Sequence, residues 1–494
     1  MLKMHKNNNS ILSLPRNAIL LFGLACFGVF QNSLMQILPL SLKSQIFLSI
    51  IFVLFSYYCI FKVLWKTYRT INFIFIFVLL SFPFAYGQHL VSLFDSDYLF
   101  RFQTFHILDG RLQDSSIINA TYFIIVFLIL LTVGYILSNT YYKEQVIVNE
   151  SGLMAGNSIV IFISLLFLLI SIYPAFKEVI AQYNLSRQFS YLVRRQLESQ
   201  ENYYELLGVG TRELYLGKWF LPSIYMLLLS FQDLRKRVLP YSILLVYSII
   251  YMLTGSRFTL LKIILVVFLI EYIWHKSITL RQIKYLPIVF IPLIVAFSII
   301  TSLRGDSGVT FEDFLTNATF YINGSPLSAT LWETGITFTS VSNVIDKVPS
   351  VVPFFIGKSY LGAILVCLPA FLRFGFTDNN IFTISSTFSP LYYGTRGFGY
   401  GSSIYAEQFY NFGYFALIVA IFLGIIIGKL EKKMFLYQKQ RNLSQFLLIV
   451  FILGELIYSV RNDLYAIPRT VLISVGIPLM VIWLVKSLLS LSNK

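Results

Sequence analysis

The sequence predicts an all-α, polytopic membrane protein with about twelve transmembrane helices. Three observations carry the prediction. Hydrophobic residues make up 57% of the 494 residues and charged residues only 12%, whereas a soluble domain uses about 25% charged residues to cover its surface. Apolar runs close to the ~20 residues that cross a ~30 Å hydrocarbon core recur along the whole chain. Basic residues gather in short loops between alternate runs, as the positive-inside bias requires.

In chain order the runs fall at 17–36, 44–64, 71–94, 117–138, 158–176, 218–232, 238–254, 258–275, 284–303, 403–428, 444–460 and 470–488. The first is long and has no small-residue cleavage site, so it reads as an anchor and not as a leader. Run 218–232 is the shortest. A further apolar run, 351–374, is interrupted by Pro353, Gly357, Lys358, Gly362, Pro369 and Arg373. Twelve spans without it leave both termini on one side, and counting it reverses every later loop.

The basic loops decide between these. Loop 429–443 carries Lys429, Lys432, Lys433, Lys439 and Arg441 against Glu431 alone, which marks it as cytoplasmic. The N-terminal tail (Lys3, Lys6, Arg16), 62–70 (Lys62, Lys66, Arg69), 233–237 (Arg235, Lys236, Arg237) and 275–284 (Lys276, Arg281, Lys284) join that side only if 351–374 does not cross. The expectation is a re-entrant or interfacial 351–374; two short crossings within 351–402 would leave the same sides. Residues 1–494 then form one integral membrane domain with cytoplasmic termini and short cytoplasmic loops. The outer segments are 95–116, 177–217 and a large loop, 304–402.

The formal charge is +15, from 38 Lys+Arg against 23 Asp+Glu. In a soluble protein this would suggest nucleic acid; here it is an orientation signal, and no nucleic-acid partner is expected. The type of base also separates by side: 12 Arg and 6 Lys outside, 6 Arg and 14 Lys inside. Arginine binds phosphate bidentately and stays charged when partly buried. The outer face therefore suits a phosphate or diphosphate ligand, unless its arginines simply pair with outer acids. No P-loop and no inner domain is present, which excludes an ATP-driven machine within this chain. Cys26, Cys59 and Cys367 lie in apolar stretches and form no disulfide framework. The four histidines show no metal-binding spacing, and neither a metal nor a cofactor is expected.

The most informative stretch is Gly399-Tyr-Gly-Ser-Ser-Ile-Tyr-Ala-Glu407-Gln-Phe-Tyr-Asn411-Phe-Gly413-Tyr414. Ser402 or Ser403 is placed to cap the following helix. On that helix Ser403, Glu407, Asn411 and Tyr414 recur at i, i+4, i+8 and i+11, one polar stripe on an apolar rod. A carboxylate within a span is costly and should face a cavity or a partner. Glu407 is therefore a candidate base or acceptor-binding group, against a structural hydrogen bond to a neighbouring helix.

Arg257 lies in the tight outer turn Thr254-Gly-Ser-Arg257, and Arg304 opens the large loop in Leu303-Arg-Gly-Asp306. Arg461 and Arg469 flank the last outer turn; Arg373 and Arg396 lie near 351–374. In 185–218, Arg187, Arg194, Arg195 and Arg212 alternate with Tyr191, Tyr203, Tyr204 and Tyr215. That mix suits sugar and phosphate together, and equally a helix lying among headgroups. Asp95-Ser-Asp97 matches the pattern that holds a metal in some sugar transferases, but a lone match is weak. His89 follows Gly87-Gln88 and reads more readily as a satisfied core histidine. Glu455 reads as structural.

The spans, the large outer loop, the Gly401-Ser-Ser-Ile-Tyr-Ala-Glu407-Gln-Phe-Tyr-Asn-Phe-Gly413 string, Gly87-Gln88, the Arg257 turn and Arg304-Gly together resemble bacterial Wzy-type O-antigen or enterobacterial-common-antigen polysaccharide polymerases. The resemblance implies a GT-C-like glycosyltransferase of the bacterial inner membrane, acting at the periplasmic face on undecaprenyl-diphosphate-linked oligosaccharides. A chain-length regulator and a flippase are the implied partners. Some related enzymes carry paired Arg-x10-Gly motifs, and this chain departs from them, with Leu315 where the glycine would stand. On this reading Glu407 is the base. Arg257, Arg304, Arg461, Arg194 and Arg195 hold the diphosphate, and Ser403, Asn411, Tyr414, Arg396, Gln88 and His89 contact substrate. A lipid-linked oligosaccharide flippase or an O-antigen ligase is the alternative. A transporter should show paired repeats with matching broken helices, and none is visible in the sequence.

Overall fold

A computed structural model describes residues 9–68, 70–94, 112–140, 155–188, 206–254, 257–279, 326–368, 383–393 and 401–492, with a few isolated positions between them. Among these, every regular element is helical. The first half comprises α1 (Asn9–Ile37), α2 (Leu42–Tyr68), α3 (Phe73–Phe94), α4 (Asp114–Thr140) and α5 (Ala155–Gln188). Next come α6 (Thr211–Gly217), α7 (Phe220–Ser230), α8 (Leu234–Leu253) and α9 (Arg257–Leu269), which runs into a π turn, Ile270–His275. The last part holds α10 (Pro326–Thr334), α11 (Ile336–Lys347), α12 (Lys358–Leu365), α13 (Ile384–Tyr393), α14 (Ile404–Phe412), α15 (Ala416–Lys439), α16 (Leu443–Tyr458), α17 (Ile467–Val471) and α18 (Ile477–Ser492).

Eight stretches are long and apolar enough to cross a membrane among the described residues: Arg16–Ile37, Leu42–Tyr68, Phe73–Phe94, Asp114–Ser138, Ser158–Ser186, Leu234–Leu253, Ile404–Lys439 and Leu464–Leu491. They coincide with eight of the expected spans. The expected span 284–303 lies outside the described residues. Of the remaining three, 444–460 is the shorter apolar helix α16, 258–275 is α9 with its π turn, and 218–232 is α7.

Burial separates core helices from lipid-facing ones. The apolar window of α4 is 94% buried, against 28% for α1 and 22% for the last stretch. Helix α4 is apolar on all sides, so it buries every face, with α1, α2, α3, α11 and α15 around it. Its closest neighbour is α15. A Cβ on Gly134 would stand 1.9 Å from the Ile421 carbonyl oxygen, and one on Gly424 2.0 Å from that of Leu131. Small residues at such a crossing let two backbones approach within membrane-protein bundles.

Helix α7 has only 11 residues, and all but Leu221 are buried. A helix enclosed by protein need not match the bilayer thickness, because its ends meet protein partners. At one end the Trp219 indole N–H donates to the Ile473 carbonyl at 2.9 Å. At the other, the Trp274 indole N–H donates to the Leu229 carbonyl at 2.9 Å.

The described basic loops meet at one end of the bundle. Asn17 donates to Thr67 at 3.2 Å, and Tyr68 packs against Tyr135. Glu431 accepts from the Phe73 amide at 2.9 Å and from the Tyr135 hydroxyl. Arg441 lies over the Trp274 ring. Arg237 pairs with Glu271, which also accepts from Tyr241 and Ser277. Segments 62–68, 233–237, 275–277 and 429–441 thus share one end, the grouping that the charge pattern requires.

The sequence reads 304–402 as a large outer loop; among its described residues, α10 and α11 are helices that pack into the bundle. A Cβ on Gly87 would meet the Leu331 carbonyl oxygen at 2.1 Å, and one on Gly335 the Gln88 amide at 2.4 Å, so α3 and the α10–α11 junction pack backbone to backbone. Thr337 to Val344 of α11 are all buried. The run is rich in polar residues: Ser340 and Ser342 bond back to the Thr337 and Thr339 carbonyls, and Thr339 donates across to Gln88 on α3. These bonds lower the cost of burying a segment that does not resemble a span. One expectation needs correction: 403–428, read as one helix. It breaks at Gly413, whose φ of 57° and ψ of −138° suit only glycine. The described residues of 351–374 form no helix long enough to cross; α12 has 8 residues.

Candidate functional site

The polar centre is built on α14. Ser403 caps it, its hydroxyl accepting from the Ala406 amide at 3.2 Å. The Ile404 amide donates to the Ser459 carbonyl at 2.8 Å, which fastens the start of α14 to the end of α16. The Phe355 amide donates to the Tyr410 carbonyl at 2.9 Å and the Ile356 amide to that of Asn411 at 3.2 Å, laying the 353–357 segment along its other end. The Tyr405 hydroxyl donates to Ser81 on α3 at 2.8 Å. The short helix is held from three sides.

Glu407 is 1% exposed. One carboxylate oxygen, Oε2, accepts from the Leu464 amide at 2.5 Å. The other, Oε1, accepts no hydrogen bond, and no cation pairs with Glu407 among the described residues. Asp463, just before Leu464, faces Glu407 electrostatically, and burial pushes its own carboxyl up to about 6. Ser359 stands beside the Glu407 carboxylate and accepts from Asn411 Nδ2 at 2.8 Å. Gln408 accepts from the Tyr360 hydroxyl at 2.5 Å. Removing one charge's partner from a low-dielectric site costs several kcal/mol, so a buried carboxylate held by the Leu464 amide beside Ser359, with no cation among the described residues, is poised for a ligand or a proton.

The expected stripe is only partly realised. Ser403, Glu407 and Asn411 share α14, but Tyr414 lies past the Gly413 break, where it packs on Phe409 and Phe123. Gln88 accepts from Thr339 at 3.0 Å, and His89 shares a 2.7 Å hydrogen bond with Thr121 and meets the Phe338 ring edge-on. Both sit in the contact between α3, α4 and α11. Arg461 lies in the turn after α16, two residues before Asp463, and so joins the Glu407 neighbourhood through the chain. Arg257 opens α9. Arg304, Arg194, Arg195, Arg396, Asp95 and Asp97 lie outside the described residues.

Glu455 pairs with Lys262 at 2.8 Å, not with Arg461, and Lys262 lies against the Phe451 and Tyr458 rings. A lysine inside an apolar run was the available signal for that pair. Asp463, Ser359 and Tyr360 were not anticipated either. Nothing in the spacing connects Asp463 to a residue 56 positions earlier.

A bundle of apolar helices long enough to cross a membrane, enclosing the polar centre on α14 and with its described basic loops at one end, defines a multi-pass membrane protein. The chain belongs to the O-antigen polysaccharide polymerase Wzy family, whose model matches residues 19–493, nearly its whole length. No curated protein and no solved structure matches it. Membership carries O-antigen repeat-unit polymerisation, a glycosyltransferase-type activity, and a lipid-linked oligosaccharide substrate in a membrane.

Proposed function

We propose that the protein joins undecaprenyl-diphosphate-linked repeat units at the periplasmic face of the bacterial inner membrane, on a GT-C-like scaffold with cytoplasmic termini. An acceptor hydroxyl attacks the donor's anomeric carbon. The carbon–oxygen bond to the diphosphate breaks, its electron pair leaves with the diphosphate, and the acceptor proton passes to Glu407. Attack and departure on opposite faces invert the anomeric centre. Fixed arginines stabilise the leaving charge in the place a metal would take. Arg461 lies nearest in the chain to the Glu407 turn, and Arg257, Arg304, Arg194 and Arg195 complete the set. Ser403, Asn411, Tyr414, Arg396, Gln88 and His89 position the sugars. A flippase supplies the substrate and a chain-length regulator limits the product.

The observation that supports this reading is the Glu407 carboxylate, buried beside Ser359 and Asp463 and, among the described residues, with no cation paired to it. Purified protein supplied with undecaprenyl-diphosphate-linked repeat units, without ATP, should yield a ladder of longer lipid-linked chains. Transbilayer movement of the substrate without a ladder would instead establish a flippase. Glu407→Gln should lower the rate at least a hundredfold, the ordinary reach of general base catalysis. Normal laddering by that variant would remove Glu407 as the base.

A further inference from the structure

We propose that Lys218, Arg469 and Tyr215 join the arginines named above in holding the diphosphate of the lipid-linked donor, on the lipid-facing flank of the turn that holds Glu407. The assignment rests on the donor named above and adds a place for it that the sequence motifs did not mark.

Three elements build the site. Tyr215 lies on α6, Lys218 follows the end of that helix, and Arg469 lies on α17. Arg469 Nη2 donates to the Tyr215 hydroxyl at 2.7 Å. Lys218 Nζ lies 5.2 Å from the centre of the same ring. The two cations repel each other across it. Neither has an ion-pair partner within 4 Å among the described residues. The acid that acts on Lys218 is Glu178, which already accepts from Gln182 at 3.2 Å. Two cations meeting one tyrosine, Lys218 at its ring and Arg469 at its hydroxyl, without a paired carboxylate among the described residues, form a site that an anion completes. The combination of a planar guanidinium fork and a compact ammonium suits phosphate oxygens.

The surroundings select a lipid phosphate over a soluble one. Trp219, next to Lys218, packs edge-on to Phe167 of α5 and donates to the Ile473 carbonyl. Trp and Tyr with a polar tip and an apolar body mark the headgroup level of a membrane. Leu169, Ile170 and Tyr173 on α5 and Leu472 after α17 are exposed apolar side chains on the neighbouring turns. A diphosphate held by Lys218 and Arg469 would therefore place its isoprenoid tail along α5 and the last helix.

The site also lies within reach of the base. Arg469 follows Leu464, the residue whose amide holds Glu407, by five positions. At ~1.5–2 Å of rise per residue in this helical segment, the two backbones are about 8–10 Å apart. An arginine side chain and a sugar ring span that interval.

The test is calorimetric titration of the full chain in phosphatidylcholine nanodiscs with farnesyl diphosphate, and with farnesol as the phosphate-free control. The wild type should bind farnesyl diphosphate and not farnesol. Arg469→Ala and Lys218→Ala should each weaken binding by about tenfold or more, the usual weight of a charge-assisted contact. Lys218→Arg, which keeps the charge, should retain binding within about threefold and exclude simple misfolding. Unchanged affinity in both alanine variants would overturn the site. A phosphatidylglycerol arm separates the two phosphate sources. Retained binding there supports a diphosphate site, and its abolition would assign the cations to bulk headgroups and overturn the proposal. Laddering by the wild type with normal binding by both variants removes this site alone. Diphosphate binding here without laddering removes the polymerase reading and leaves the site.

Discussion

Gly424→Ala tests the packing on which the whole bundle depends. The added Cβ would lie 2.0 Å from the Leu131 carbonyl oxygen and 2.8 Å from the Tyr135 amide nitrogen. Ordinary contact begins at about 3.4 Å, so α4 and α15 must part locally by up to ~1.4 Å. Both obstacles are helix backbone, and no side-chain rotation relieves them. A gap of even about 0.5–1 Å forfeits a quarter to a half of the dispersion energy of each affected contact, and overpacking of this kind costs about 1–3 kcal/mol. Alanine's better helix propensity returns up to ~1 kcal/mol. The net loss should be about 1–2 kcal/mol. Gly23→Ala is the matched control, because a Cβ there meets nothing within 4 Å; only propensity acts, and that variant should gain up to ~1 kcal/mol. Equilibrium unfolding in mixed detergent micelles measures both. The opposite signs are the content of the prediction, and a Gly424→Ala protein at least as stable as the wild type would refute the close-packing argument.

Two further predictions concern buried charge. Lys262→Met leaves Glu455 buried without its partner, which should cost about 3–5 kcal/mol; adding Glu455→Leu should restore most of that stability, and a double variant as weak as the single would rule out the pair. Asp463, raised to about 6 by burial, favours the folded state while protonated. Its contribution is complete below the unfolded value near 4 and is lost as pH rises through 6. Between pH 4 and 7 the wild type should therefore lose stability relative to Asp463→Asn, and parallel curves for the two proteins would contradict it.

Much of this architecture was legible because membrane insertion leaves a one-dimensional record. Apolar runs of about 20 residues must be helices, since no other local structure satisfies the backbone in lipid. Loop charge then orders them, and the described basic loops do meet at one end. The cap at Ser403 was equally readable, because capping is a contact over three residues. Tyr414 was misplaced for a complementary reason. Helical spacing holds only while the helix continues, and the positive φ of Gly413 ends it one residue earlier.

By itself, then, the sequence determined the class, the positions and order of eight spans, the shared end of the described basic loops, and the acid worth attention on α14. Each of these is set by local composition or by spacing within one helix. Only the tertiary structure decided that α10 and α11 enter the bundle, that Glu455 takes Lys262, and that Glu407 meets Leu464 and Asp463. Only there do Lys218 and Arg469, 251 residues apart, converge on Tyr215. Those outcomes depend on glycines such as Gly87 and Gly335 that let backbones touch, and on which buried polar groups find partners. Both are properties of neighbours brought together by folding.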